Sequence, residues 1–176
     1  MNLEGVDDNP VDMSKLTIAD KWILNALNET TKLVNDNVEN YRIGEMAHVL
    51  YDFFWNDYCD WYIELSKIQK NETVLTYVLD MTLRLLHPIM PHITEEIWGL
   101  LDIKKEKSAL VISDYPRYRE DLNFEEEREK MESVLEAIRS LRNTRASFNI
   151  PVSSPSGLSV TFLKTIVGKL NDGASS

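Results

Sequence analysis

This sequence has few of the residue types on which most catalytic and metal sites depend. Its 176 residues include one cysteine, Cys59, and three histidines, His48, His87 and His92. One cysteine cannot form an internal disulfide, and these four residues do not have the spacing of a zinc site. The six glycines are scattered, so the sequence has no glycine-rich phosphate loop, and no GxSxG motif occurs. We therefore expect no metal, no cofactor and no catalysis in this chain itself, and a reducing cytoplasm as its setting.

Long hydrophobic runs are absent as well. No window approaches the ~20 apolar residues of a membrane span, and the N-terminus lacks the basic start and apolar run of a signal peptide. The hydrophobic content of 43% is nevertheless sufficient for one compact domain with a core. We therefore expect a soluble, unexported domain that has no membrane partner.

Basic residues are scarce relative to acidic ones. The chain has 19 Lys and Arg against 29 Asp and Glu, which gives a net charge of -10. Proteins that bind nucleic acids usually carry a basic footprint that neutralises phosphates. A module that contacts only a few nucleotides, within a larger enzyme that holds the rest of the RNA, can still be acidic. The charge balance therefore decides neither for nor against RNA binding.

Apolar residues recur at helical spacing in the first 70 residues. Thr17 followed by Asp20 has the pattern of a capping box, and the spacing after it predicts a first helix over about 17–37. A longer apolar stripe predicts one continuous helix over about 42–70. The residues expected to face the core from these two helices include Leu33, Ile43 and Trp55.

Proline and acidic residues bound the remaining predicted helices. A third helix begins at Asn71 and ends where Pro88 stops it. Pro91 suits the first position of a short helix that reaches about Leu101. A last long helix follows over about 123–148, with acidic residues in its first turn.

The segments outside these helices have turn-like or extended patterns. Residues 1–15 are acidic and have no periodicity, which predicts an exposed N-terminal loop, here called the acidic lead. Residues 104–122 are predicted to be a connection across the surface, with a short extended piece at 110–112. A cluster of serine, proline and glycine at 151–157 is typical of a linker, and a candidate strand follows at 158–163.

Long amphipathic helices joined by short connections predict an all-α fold, an antiparallel helical bundle with a short extended tail. We expect the helical domain to span 1–150. Residues 151–176 then form a linker and the truncated start of a C-terminal segment.

The second predicted helix carries polar groups among its apolar residues. Cys59, Ile63 and Lys67 recur every four residues and so share one face, with Glu64 beside them. Such a surface can pack an unpaired base and hydrogen-bond its edge, as sequence-specific readers of single-stranded RNA do. The spacing also fits a helix at the boundary of the core, with Cys59 and Ile63 inside and the two charged residues in water.

Three arginines lie on the last predicted helix. Arg139, Arg142 and Arg145 recur every third residue and spread over one broad face. Guanidinium groups on such a face can contact RNA phosphates. The alternative is a basic outer face whose arginines pair with Glu132 and Glu136.

Three stretches of the sequence together resemble one known family. They are FFWNDYCDWYIELSK at 53–67, HPIMPHITEEIW at 87–98 and AIRSLRN at 137–143. This combination closely resembles the anticodon-binding domain of the valyl-tRNA synthetases, over residues 1 to about 150. The resemblance implies the helical bundle of class I synthetases and, as partner, the anticodon stem-loop of valine tRNA. It also implies that Cys59, Ile63, Glu64 and Lys67 contact the anticodon.

The resemblance further implies that this chain is part of a longer enzyme. In such enzymes, other domains use ATP and magnesium to attach valine to its tRNA, while the helical domain checks the anticodon. The domain itself is then noncatalytic and has the rest of the synthetase chain as a partner. The first bundle helix of the family, which supplies much of the anticodon contact, has no counterpart in this sequence.

Two other interpretations remain open. A stand-alone helical protein-interaction domain would use its aromatic face to dock a partner helix. The equivalent domain of an isoleucyl- or methionyl-tRNA synthetase would share the helical architecture. RNA binding that depends on base sequence and on salt distinguishes an RNA reader from a protein scaffold.

Overall fold

The computed structural model describes residues 11–68, 70–101 and 107–147. Within these ranges the regular structure is helical and no strand occurs, so the all-α prediction is confirmed. The helices are α1 (Ile18–Glu39), α2 (Ile43–Asp52), a π-helical segment (Phe53–Tyr62), α3 (Ile63–Ser66), α4 (Glu72–Leu86), α5 (Pro91–Leu100) and α6 (Glu125–Ser147). Short 3₁₀ turns lie at Met13–Lys15, Leu110–Ile112 and Glu120–Leu122.

Local capping interactions determine where three helices begin. Thr17 Oγ1 accepts a hydrogen bond from the Asp20 N–H at 3.2 Å, and Asp20 Oδ2 accepts one from the Thr17 N–H at 3.0 Å. The predicted capping box is therefore confirmed. The Asn71 side chain accepts a hydrogen bond from the Val74 N–H ahead of α4, and Pro91 opens α5. These starts could be predicted because each depends on residues that are neighbours in sequence.

Helix α1 lies at the centre of the bundle, in contact with α2, the π-helical segment, α4 and α6. The start of α6 lies beside the middle of α1, where the Phe124 N–H donates to Asn25 Oδ1 at 2.8 Å. Lys21, one turn nearer the start of α1, pairs with Glu127 at 2.8 Å. Helices α1 and α6 therefore run antiparallel.

The buried carboxyl group of Asp20 joins three parts of the bundle. The Tyr62 hydroxyl donates to Asp20 Oδ1 at 2.6 Å, and Asn71 Nδ2 donates to Oδ2 at 3.0 Å. Asp20 and Tyr62 are each only 1% exposed, so water cannot replace these bonds. Burial and the adjacent Asp20 raise the pKa of Tyr62, which keeps its hydroxyl protonated as a donor. The end of the second helical stretch is thereby attached to the starts of α1 and α4.

The stretch predicted as one regular helix over 42–70 contains a long π-helical segment. The Ile63 N–H, for example, donates to the Tyr58 carbonyl five residues earlier. Three aromatic rings stack along the inner side of this segment: Phe54 on Tyr58 at 5.8 Å, and Tyr58 on Tyr62 at 6.2 Å between ring centroids. The Tyr58 hydroxyl also donates to the Leu75 carbonyl at 3.0 Å. Aromatic residues spaced by four fit both types of helix, so the sequence pattern could not distinguish them.

Several residues expected in the core are exposed, and those predictions were wrong. They are Leu33, Ile43 and Trp55. Ile43 is the first residue of α2, directly after a tight turn in which Tyr41 has φ 57° and is 90% exposed. The apolar stripe of the sequence is therefore wider than the surface that the neighbouring helices cover.

The predicted extended piece at 110–112 was also wrong. The Ile112 N–H donates to the Ala109 carbonyl and the Ser113 N–H to the Leu110 carbonyl, which makes a 3₁₀ turn. This turn buries Leu110 against Leu83 and Trp98. Val111 and Ile112, which follow it in the turn, are exposed, so Leu110 is the residue of this turn that packs between α4 and α5.

None of the described helices combines the length and the apolar character needed to cross a bilayer. The acidic lead up to residue 10, the predicted linker at 151–157 and the candidate strand at 158–163 lie outside the described residues.

Replacing Tyr62 with Phe tests the junction at Asp20. The substitution leaves a buried oxygen of Asp20 without its donor, so we expect the free energy of unfolding to fall by about 1 to 3 kcal/mol in urea denaturation. The matched control is Tyr41→Phe, whose hydroxyl lies in water and which should change stability by less than about 0.5 kcal/mol. Equal stability of Tyr62→Phe and the unsubstituted chain would contradict this role of Asp20.

Candidate nucleic-acid interface

The four residues predicted to contact an anticodon form one surface, here called the Cys59–Lys67 face. Cys59 and Ile63 are half-buried and pack against the edge of the core. Glu64 is half-buried and Lys67 is exposed. The two apolar residues are thus neither sealed in the core nor free in solvent. The face is therefore partly exposed to solvent.

The π-helical turns affect how this face is aligned. In a regular α-helix, each step of four residues overshoots one full turn by roughly 40°. A π-helical turn contains more residues than an α-helical one, so a step of four residues falls short of a full turn instead of exceeding it. Tyr51, Trp55, Cys59, Ile63 and Lys67 can therefore follow each other along one side of the stretch. A more polar row lies beside them, formed by Asp52, Asn56, Asp60 and Glu64.

An ion pair lies at the C-terminal end of the Cys59–Lys67 face. Lys67 Nζ contacts Glu64 Oε1, and the two side chains are 62% and 44% exposed. Such an exposed pair contributes little to stability, so its partners can be separated at small cost. A carboxylate and an ammonium group are consequently available side by side for a polar ligand.

Cys59 contributes to this face as a small apolar group. Burial and, secondarily, the charge of Asp60 raise the pKa of its thiol. A protonated, half-buried thiol is a poor nucleophile. Cys59 therefore lacks the lowered thiol pKa that is typical of reactive cysteines, and it packs against the core.

The structure brings α6 against the same helical stretch. The guanidinium carbon of Arg139 lies 5.3 Å from the centre of the Trp61 ring, an arrangement that favours a cation–π interaction. Nothing in the sequence pattern indicated this contact, because the two residues are far apart in the chain. Of the three predicted phosphate-binding arginines, Arg139 therefore flanks the stretch that carries the Cys59–Lys67 face. The side chains of Arg142 and Arg145 lie outside the part of α6 that the structure describes in full.

The alternative interpretation of the arginines required them to pair with Glu132 and Glu136. Glu132 accepts a hydrogen bond from Arg128 Nε at 2.9 Å instead, and Arg128 also binds Glu29 at 2.8 Å. The carboxylate of Glu132 is therefore engaged by Arg128, one turn earlier on α6, and lies about two turns before Arg139.

Asp57 is a half-buried acidic residue of the π-helical segment. Burial raises the pKa of Asp57 to about 6, Arg139 opposes the shift, and Glu132 and Asp52 add to it. Asp57 therefore lies among charges from both its own helix and α6. Its position four residues before Trp61 was visible in the sequence, but the approach of α6 was not.

The HPIMPHITEEIW motif packs the α4–α5 corner. His87 Nδ1 and Thr94 Oγ1 are 2.8 Å apart, and buried Trp98 donates from Nε1 to Asp80 Oδ1 at 2.6 Å. An open groove of about 440 Å³ lies on this corner. Its lining residues are His87, Pro91, His92, Glu95, Glu96, Gly99, Leu100 and Val111. None of them belongs to the Cys59–Lys67 face. In the described part of the chain, no three His, Cys, Asp or Glu side chains come together as a metal site.

Comparison with known proteins identifies a family. Residues 20–162 match the family described as the anticodon-binding domain of tRNA ligase. The chain is 44% identical over 166 residues to a valine–tRNA ligase of Enterococcus faecalis, a match that covers 88% of this chain and 19% of that protein. It is 42% identical to the valine–tRNA ligase of Geobacillus stearothermophilus, over 94% of this chain and 19% of that protein. A third relative, the valine–tRNA ligase of Staphylococcus carnosus, is 45% identical over 81% of this chain and 17% of its own length. The chain thus spans about a fifth of the length of the curated relatives it matches.

Replacing Asp57 with Asn tests the electrostatics beside Arg139. Because the folded-state pKa lies above the ordinary value of 3.8, the folded protein binds the proton more tightly, and stability is lost as pH rises from about 4 to 6. Allowing for water around this half-buried group, we expect Asp57→Asn to raise the free energy of unfolding by about 1 kcal/mol at pH 7.5. No gain is expected near pH 4, where the carboxyl is already neutral.

The control for this experiment is Asp60→Asn, since Asp60 is exposed on the same helical segment. Denaturant unfolding at both pH values measures the effect. A gain from Asp57→Asn that is the same at pH 4 and pH 7.5 would contradict the electrostatic explanation.

Proposed function

This chain belongs to the family of anticodon-binding domains of tRNA ligases, and we propose that it contacts the anticodon stem-loop of a valine tRNA. The observation that carries the proposal is the partly exposed Cys59–Lys67 face, on a helical stretch against which α6 holds Arg139 over Trp61. The names of the relatives favour valine over isoleucine or methionine as the amino acid of that tRNA.

The apolar part of the face suits the flat surface of an unstacked base. Ile63 and Cys59 present half-buried apolar groups that are already positioned by the core behind them. Single-stranded RNA readers commonly pack loop bases against apolar or aromatic side chains in this way. Because the side chains are held in place beforehand, little conformational entropy is lost when a base binds.

The polar part of the face suits particular base edges. Valine codons begin with G and U, so the anticodon bases that pair with them are C and A. Both bases carry an exocyclic amino group that donates hydrogen bonds, and a carboxylate is a suitable acceptor for it. In the proposed complex Glu64 accepts such a bond, while Lys67 turns from Glu64 toward a phosphate. Arg139 contacts the RNA backbone from the neighbouring helix, and Arg142 and Arg145 extend that contact along α6.

The net charge of -10 is compatible with this proposal because only a short part of the RNA is contacted. The domain is noncatalytic and uses no cofactor. It acts within a cytoplasmic valine–tRNA ligase whose other domains use ATP and magnesium to attach the amino acid. The chain's share of its relatives' length supports this arrangement.

A titration with anticodon stem-loop RNA tests the proposed contacts. We expect the chain to bind the valine stem-loop more tightly than a variant with one anticodon base changed, with affinity that falls as salt increases. Ile63→Ala should weaken cognate binding by about 1 to 3 kcal/mol, because an unstacked base loses its packing surface. Fluorescence anisotropy at two salt concentrations measures both effects.

The control for Ile63→Ala is Ile93→Ala, which removes an exposed isoleucine from α5. It should leave RNA affinity unchanged. If the folded Ile63→Ala chain binds the cognate RNA as tightly as the unsubstituted chain does, Ile63 does not contact a base. Equal binding of cognate and changed loops would favour a protein-interaction domain instead.

Arg139→Gln tests the backbone contact separately. Loss of a phosphate contact weakens cognate and changed stem-loops alike and reduces the slope of log affinity against log salt by about 1. Arg117→Gln removes an exposed charge that lies outside α6 and serves as the control. A change in base preference, with the salt slope unaltered, would show that Arg139 contacts a base edge and not the backbone.

A further inference from the structure

The guanidinium group of Arg139 has an aromatic neighbour and an anionic one, both on the π-helical segment. Its central carbon lies 5.3 Å from the centre of the Trp61 ring. Asp57, four residues before Trp61, is half-buried, and its charge and that of Arg139 attract each other. None of the ion pairs between described residues includes Arg139. The described contacts of Arg139 are therefore the Trp61 ring and, at longer range, the charge of Asp57.

Two further carboxylates act on Asp57, and both have cationic neighbours of their own. Asp52, on the same helical stretch, lies 3.5 Å from His48. Glu132, on α6, accepts a hydrogen bond from Arg128 at 2.9 Å. Asp57 itself belongs to none of the ion pairs between described residues. Its charge therefore remains available to act on Arg139.

The two neighbours of Arg139 differ in their effect on a phosphate. The Trp61 ring attracts the guanidinium group but carries no net charge, so it holds the group without neutralising it. The Asp57 carboxylate also attracts the group, but in addition it repels any phosphate that approaches. Charges within about 10 Å of each other act on one another at physiological salt, so this repulsion reaches a phosphate bound to Arg139.

We propose that Asp57 is a positioning residue for Arg139: its carboxylate draws the guanidinium group toward the π-helical segment and competes with an RNA phosphate for it. The proposal rests on the proposed function, because it takes Arg139 to be a phosphate contact. Asp57 then limits the affinity for RNA of any sequence. Since phosphate contacts are the same for every tRNA, the contacts to the bases decide which tRNA is retained.

The competition depends on the protonation of Asp57. Burial raises the pKa of Asp57 to about 6, Arg139 opposes the shift, and Glu132 and Asp52 add to it. At pH 7.5 the carboxyl is ionised and competes for Arg139, whereas near pH 5 it is neutral and no longer competes. By linkage, a phosphate bound to Arg139 must in turn favour the protonated form of Asp57.

Stem-loop titrations of Asp57→Asn test the competition, because this change removes the charge and nearly preserves the shape of the side chain. At pH 7.5 and low salt, we expect the variant to bind cognate and changed stem-loops about threefold more tightly than the unsubstituted chain. At pH 5 the two proteins should bind equally. In the Arg139→Gln background, Asp57→Asn should leave the affinity unchanged at both pH values.

The matched control is Asp60→Asn, which removes an exposed charge three residues further along. Any gain from this control should be the same with and without the Arg139→Gln change, because it reflects net charge alone. The proposal is overturned if Asp57→Asn gives no gain at pH 7.5, or if its gain persists in the Arg139→Gln background. If Arg139→Gln itself alters neither affinity nor salt slope, the backbone contact of the proposed function fails first.

A measurement without RNA tests the coupling between the two side chains directly. Carbon-13 NMR of the aspartate carboxyl groups follows the titration of Asp57, whose signal is identified by its loss in Asp57→Asn. We expect Arg139→Gln to raise the titration midpoint, because a nearby positive charge is removed. Arg117→Gln should leave the midpoint unchanged. Equal midpoints in the Arg139→Gln and unsubstituted chains would overturn the proposal, whatever the RNA titrations show.

Discussion

The carboxyl group of Asp20 is the constraint on which the arrangement of this bundle depends. A buried carboxyl is costly unless its oxygens are bonded, and here the partners come from the N-cap of α1, from Tyr62 and from Asn71. Each partner lies at the end or the start of a helix. The bonds therefore specify how far the second helical stretch extends along α1 and how it is rotated. Apolar packing alone tolerates small shifts and rotations that these bonds do not.

The rotation set at Tyr62 decides which residues of the stretch face outward. Tyr62, Tyr58 and Phe54 stack on the inner side. In the row from Tyr51 to Lys67, Tyr51, Trp55 and Lys67 are exposed, while Cys59 and Ile63 are half-buried. The character of this row changes along its length. Its first part carries the exposed rings of Tyr51 and Trp55, and its last part combines apolar groups with the Glu64–Lys67 pair.

Much of the fold followed from short-range patterns. The capping box at Thr17, the N-cap at Asn71 and the proline at the start of α5 predicted helix starts because their partners are three residues or fewer away. The three quoted motifs also predicted the family. The π-helical turns and the exposure of Trp55 did not follow, because apolar spacing shows which residues can be buried but not which neighbours arrive to cover them. The contact between Arg139 and Trp61 could not be predicted either, because it depends on how α6 packs and joins residues that are far apart in the chain.

The sequence by itself determined the helical class, the starts of α1, α4 and α5, and the family to which the chain belongs. It also provided the residues of the Cys59–Lys67 face as candidates, since residues four apart share a side of any helix. Only the tertiary structure decided that this face is partly exposed, that Arg139 lies over Trp61 of the same helical stretch and that Tyr51 and Trp55 are exposed. The physical reason is that hydrogen-bonded caps and turns are local, whereas solvent exposure and charge environment depend on which distant segments pack nearby.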